Sequence, residues 1–210
     1  MKKIPTLFVR EFDNHGVKSI RPELTSEDLR WVLEGKGVAT VKYDGACCAV
    51  IDGKFYRRYD AKKGKKPPED AIPCDDPDPV TGHWPHWVPV KDNDPDSKWF
   101  LAAKANREAG GEGIPLWNEI YVAMGPHFQG LPLADGTYEA VGPHFQGNPY
   151  KLEVDTLVPH GLVCISVERT FDGIRDYLEQ HKIEGIVFWK DGKPWCKIKR
   201  TDFGFEWKGI

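Results

Sequence analysis

The chain has no apolar run long enough to cross a bilayer as a helix, so its residues call for no membrane. It has no excess of one charge, with 29 Lys and Arg against 32 Asp and Glu. The net charge of -3 excludes a global field that would draw polyanions, so any site for them must be local. Five cysteines form an odd set without paired spacing, which speaks against a disulfide framework. His83 and His86 stand near Cys74, but at no spacing that suits zinc, and no structural zinc is expected. The opening stretch MKKIPTLFVREF has no apolar signal region. These absences point to a cytoplasmic protein with reduced thiols. What is present is a 40% hydrophobic composition that includes eight Trp, enough for a sizeable core. No stretch reads as a linker, so a single domain over residues 1–210 is expected.

Periodicity predicts many strands and few helices. Thr6–Arg10 alternates weakly as a short strand, and Ser26–Leu33 reads as a helix stopped by Gly35. From Val38 the period becomes two, through Tyr43 and again over Ala46–Ile51. Asp52-Gly53 is a hairpin signal leading into Phe55–Tyr59. Lys65 to Asp96 is rich in Pro and Asp and reads as a surface excursion with one strand near Trp87–Val90. Ser97–Ala109 and Phe171–His181 read as helices. Strands are expected at Glu119–Ala123, Thr137–Val141 and Leu162–Val167, with a last hairpin of Ile183–Trp189 and Trp195–Lys199. There is no βαβ alternation, so the expected class is α+β with two packed, mainly antiparallel sheets and flanking helices. The hexapeptide GPHFQG occurs at residues 125–130 and 142–147, and Gly-Pro punctuation at strand ends gives it a structural reading.

Several residues could carry chemistry. Lys42 lies in a strand with an apolar flank, and Gly45 nearby permits close backbone approach by a ligand. Burial of such a lysine favours the neutral, nucleophilic amine. The alternative is an edge-strand lysine reaching out to water. Arg57, Arg58, Lys62, Lys63, Lys65 and Lys66 crowd into ten residues, a cluster suited to phosphates. A solvated loop neutralised by the acids that follow would also explain the lysines. Glu139 and Glu184 sit within apolar strand patterns, where a charge needs a partner or a metal. Lys197 and Lys199 alternate and so share a strand face, which suits an anion between them or open solvent.

Taken in order, the set is KYDG with Lys42, strand arginines, YEAVG with Glu139, EGIVF with Glu184 and a closing Lys-x-Lys. This resembles the covalent nucleotidyltransferase superfamily of RNA ligases, DNA ligases and mRNA capping enzymes. KYDGACCAV and YEAVGPHFQGNPY are similar to the animal-type 5′-to-3′ RNA ligase family and its small microbial relatives. The resemblance implies an ATP-dependent RNA ligase in one nucleotidyltransferase domain. Lys42 would carry AMP, and Asp44 would orient the site, unless Asp44 only forms the turn before Gly45. Lys197 and Lys199 would hold the α-phosphate, with Val41 beside the nucleotide. Glu184 would help bind Mg²⁺ or Mn²⁺, and Glu139 would accept hydrogen bonds from the ribose. Arg57 or Arg58 would contact the ribose or RNA, with Lys62, Lys63, Lys65 and Lys66 on RNA phosphates. The partners implied are RNA ends, and a monomer is expected.

One departure from the pattern is that eleven residues follow Lys199, so no OB-fold is expected. DNA ligases and capping enzymes usually carry one, which disfavours those alternatives. A non-catalytic RNA-binding module is the alternative of another class, but no aromatic-basic RNA motif appears. The aromatic that would stack on the base is open between Tyr150 and Phe145.

Overall fold

A computed structural model describes residues 3–14, 16–79, 81–109 and 133–207. The strand expected at Glu119–Ala123 and the first GPHFQG copy lie outside these residues. In chain order the elements are β1 (Phe8–Asp13), β2 (Gly16–Leu24), α1 (Arg30–Leu33), β3 (Val38–Lys42), β4 (Ala46–Ile51) and β5 (Lys54–Ala61). Then come β6 (Ile72–Pro73), β7 (Trp84–Pro89), α2 (Lys98–Glu108), β8 (Gly136–Val141) and β9 (Thr156–Pro159). The last are β10 (Cys164–Ile165), α3 (Phe171–Gln180), β11 (Gly185–Lys190) and β12 (Lys193–Lys199).

The class is α+β with antiparallel sheets, and the described residues form three sheets where the sequence suggested two. They fall into two compact units, one of residues 1–3 and 44–160, the other of residues 4–43 and 161–210. The second unit is therefore assembled from both ends of the chain.

In that second unit a four-stranded sheet has the order β10-β3-β11-β12, beside a β1-β2 ribbon. Residues Pro5 to Leu7 add a parallel contact on the β12 edge, where Leu7 N–H donates to the Lys197 carbonyl at 2.8 Å. Leu7, Phe8, Ile174, Leu178, Ile186, Phe188 and Ile198 are buried. Ile174 and Leu178 are one turn apart on α3, which is why that helix covers a core. The Thr170 hydroxyl caps it by accepting from Gly173 N–H at 3.0 Å.

The other unit is a six-stranded sheet of order β6-β7-β5-β4-β8-β9. Its core joins Cys48, Val50 and Phe55 to Tyr138, Ala140, Phe145 and Leu157, with Ala103 of α2. The β4–β5 turn has Asp52 at φ 50° and Gly53 at φ 70°, the left-handed pair that a two-residue hairpin needs.

Both predicted hairpins form, while several other elements differ from expectation. β1 begins and ends later than Thr6–Arg10, β2, β6 and β9 were not anticipated, β7 starts earlier than Trp87, and the Leu162–Val167 strand shortens to the two residues of β10. Proline explains most of this. Pro22, Pro85, Pro89 and Pro159 stand within strands or at their ends, where a missing N–H argues against a ladder. β7 tolerates two of them because its outer neighbour β6 pairs only Ile72 and Pro73 with it. β2 is mostly exposed, so no apolar alternation marks it.

Candidate active site

The register of the four-stranded sheet assembles the lysines. Gly185 of β11 lies opposite Lys42 of β3 on one side and Lys199 of β12 on the other. Val187 lies likewise between Thr40 and Lys197. Residues directly opposed in a ladder project to the same face, so Lys42, Lys197 and Lys199 share one. Gly185 cannot carry a side chain there, because a Cβ would stand 2.3 Å from the Ile198 carbonyl oxygen. Val41, one residue before Lys42, points to the other face and is buried.

Glu184 immediately precedes β11 and is 3% exposed. A carboxylate so buried needs strong partners, and it has two. Lys42 Nζ donates to its Oε2 at 2.5 Å, and Lys199 Nζ meets its Oε1 at 2.6 Å. Lys42 Nζ also donates to the Tyr43 carbonyl at 3.3 Å. Lys197 stands beside this pair and feels the charges of Lys42, Lys199 and Glu184. Burial, reinforced by the charges of Lys42, Lys199 and Arg10, holds its ammonium down at about 8. Its backbone is fixed, since Lys197 N–H donates to the Pro5 carbonyl at 3.0 Å.

Arg10 of β1 completes the cluster. Its Nη2 donates to Asp202 Oδ2 at 2.7 Å, and the same oxygen accepts Lys199 N–H at 2.8 Å. Arg10 Nε is buried without a hydrogen-bond partner. Lys42, Lys197, Lys199 and Arg10 thus face Glu184 and Asp202 alone in this set, which leaves positive charge and unused donors on one sheet face. That arrangement suits a phosphate. Sequence reasoning missed Arg10 and Asp202. Asp202 could have been suspected from its position three residues after the Lys-x-Lys pair, whereas Arg10 carries no local signal.

In the six-stranded unit, Glu139 of β8 lies opposite Cys47 of β4. Its Oε1 accepts Gly45 N–H at 3.0 Å, and its Oε2 lies 2.8 Å from His160 Nε2. Gly45 must be glycine here, as a Cβ would meet the Ala140 carbonyl oxygen at 2.2 Å. Asp44 N–H donates to Tyr150 Oη at 2.6 Å. Register also separates the two arginines. Arg57 is opposite Cys48, on the core face, and its Nη2 reaches Asp94 and Asp96 at 3.4 and 3.2 Å. Arg58 therefore projects to the face of Cys47 and Glu139, with its Nε on Asp60 at 2.8 Å. Lys62, Lys63, Lys65 and Lys66 are exposed on a turn whose Gly64 has φ 78°. Tyr150 and Phe145 are buried, the latter edge-on to Phe100. In the second GPHFQG copy Gly142 has φ 137°, and a Cβ there would stand 2.5 Å from Asp155 Cα.

A family model described as RNA ligase 1 matches residues 69–209. The chain belongs to the RNA ligase 1 family. RNA is therefore the substrate class of this ligase. The matched residues include Glu139, Glu184, Lys197 and Lys199, and begin after Lys42 in the sequence. No curated protein matches the chain. No helix among the described residues is long and apolar enough to cross a membrane.

Proposed function

We propose that this ligase joins RNA 5′-phosphate and 3′-hydroxyl ends with ATP, through AMP carried on Lys42, within one nucleotidyltransferase domain. The observation that carries this reading is the shared Glu184 carboxylate, which holds Lys42 and Lys199 on the face that also bears Lys197. A nucleophile and phosphate-binding cations then stand together before any nucleotide arrives, which is the preorganisation the chemistry needs.

In the first step Lys42 gives its ammonium proton to solvent and, as the neutral amine, attacks the α-phosphorus of ATP. The bond from that phosphorus to the pyrophosphate oxygen breaks, pyrophosphate leaves, and the nitrogen gives up a proton. Lys197, Lys199 and Arg10 offset the negative charge that develops on the phosphate oxygens. In the second step an RNA 5′-phosphate oxygen attacks the same phosphorus, the P–N bond breaks, and Lys42 recovers its proton. In the third, the RNA 3′-hydroxyl oxygen attacks the 5′-phosphate phosphorus, loses its proton and displaces AMP. Glu139 accepts from the ribose, Asp44 orients the loop after Lys42, and Arg58 meets ribose or RNA phosphate. The exposed turn of Lys62, Lys63, Lys65 and Lys66 adds RNA phosphate contacts.

Both Glu184 oxygens already accept from lysines, so Glu184 would hold a Mg²⁺ or Mn²⁺ ion only through water, and only once substrate phosphates had offset the surrounding positive charge. Such an ion, when bound, neutralises phosphate charge. The protein is proposed to work as a cytoplasmic monomer.

The test separates carrying AMP from joining ends. Lys42→Ala should lose all ATP-dependent sealing, yet still join an RNA whose 5′ end is already adenylated. A Lys42→Ala protein that seals with ATP would remove the reading's central residue.

A further inference from the structure

We propose that Cys47, Glu139 and His160 form a binding site for a single borderline transition-metal cation such as Zn²⁺. These residues come from β4, from β8 and from the position just after β9, which is why no cysteine-histidine spacing in the sequence announces them. Their ligand atoms, Cys47 Sγ, a Glu139 carboxylate oxygen and a His160 ring nitrogen, all lie within 4.8 Å of one another. Side-chain exposure is 12% for Glu139 and 15% for His160, so the donors are sheltered from water without being sealed off.

The donor types choose the cation. A thiolate and an imidazole select zinc-like ions over magnesium or calcium, which prefer oxygen alone. Three protein donors leave one position for water or a further ligand.

The surroundings are built to orient these donors. Glu139 Oε1 is held by Gly45 N–H at 3.0 Å, which directs Oε2 toward His160. His160 Nδ1 lies 3.0 Å from Thr137 Oγ1. A hydroxyl both donates and accepts, so Thr137 serves either imidazole tautomer. Without a cation, Nε2–H donates to Glu139 while Nδ1 accepts from Thr137. With one, the ring proton sits on Nδ1 and donates to Thr137, and Nε2 is free to ligate. Such an outer hydrogen bond is the usual companion of a metal-bound histidine.

Charge balances as well. A divalent cation would release the thiol proton, and thiolate plus carboxylate would then neutralise it. This site does not depend on the ligase reading. Where that reading holds, the cation and the ribose compete for Glu139.

Cobalt(II) is the probe, titrated without nucleotide or RNA, so that failure leaves the ligase reading untouched. Wild-type protein should take up one equivalent and develop a thiolate-to-cobalt charge-transfer band. Cys47→Ser should lose the band, and Cys164→Ser, at an exposed cysteine, should keep it. Thr137→Val should weaken binding about 10- to 100-fold, which a merely structural threonine would not do. If Cys47→Ser fails to fold by circular dichroism, alkylation of wild-type Cys47 followed by mass spectrometry replaces it, with cobalt expected to slow the reaction. Absence of the band in wild type, its persistence in a folded Cys47→Ser protein, or unchanged Cys47 alkylation would each overturn the proposal.

Discussion

Glu184 and Glu139 look alike in the sequence, each a carboxylate set in an apolar strand pattern, yet the structure gives them opposite company. Glu184 takes one lysine ammonium on each oxygen, with a third lysine and an arginine nearby. Glu139 takes a backbone N–H on one oxygen and a histidine ring on the other. The first carboxylate is outnumbered by cations, so its surroundings favour an incoming anion. The second is held by a backbone N–H and an imidazole, with no lysine on either oxygen, and can turn to a hydroxyl donor or a cation. The two glutamates therefore differ because of the groups the fold brings to their oxygens, and not because of their own sequence context.

The largest difference should appear on neutralising each. Glu184→Gln leaves Lys42 and Lys199 without their shared counter-charge and turns an amide N–H toward one of them. The rate of AMP adduct formation should fall by roughly a hundredfold or more, as when a main electrostatic group is removed. A wild-type rate, measured by single-turnover labelling with ATP, would reduce Glu184 to a structural partner of the two lysines.

A second test uses pH on the cationic side alone. Lys197 titrates near 8 in the fold against the usual 10.5, so between these values the unfolded chain binds more protons. Its unfavourable contribution to stability is full below about 8 and is relieved as pH rises to 10.5. Denaturant unfolding of Lys197→Met should accordingly show a shallower gain with pH than wild type across that window. Equal slopes would mean that Lys197 is not held in its depressed state.

The smallest effect belongs to Glu139→Gln. Its amide oxygen can still accept Gly45 N–H, and its amide nitrogen can donate to His160 in the other tautomer. Adduct formation should fall only several-fold, on the order of 1 kcal/mol. A loss as large as that of Glu184→Gln would break the comparison between the two carboxylates.

Much of the cationic face was legible in the sequence because alternation is local. Lys197 and Lys199 are two residues apart on one strand, and Gly185 follows Glu184 directly, so spacing alone marks them. The register that brings Lys42 opposite Gly185 joins residues far apart in the chain, and only the resemblance put them together. Arg10 lies in the strand expected at Thr6–Arg10, but the ribbon's second strand is mostly solvated and interrupted by Pro22, so neither that second strand nor the arginine's place in the site stood out. His160 follows β9, a four-residue strand ending in proline that carries no period worth reading. Which of Arg57 and Arg58 meets the core turned on one fact that sequence lacks, the face of β5 that packs inward.

The central claim is that Lys42 carries AMP. The direct measurement is intact mass after incubation with ATP and Mg²⁺ in the absence of RNA, followed by peptide mapping of the adduct. The expected result is a single AMP on the peptide that contains Lys42, formed much less with GTP. An unmodified protein, or AMP mapped to a different lysine, would contradict the account.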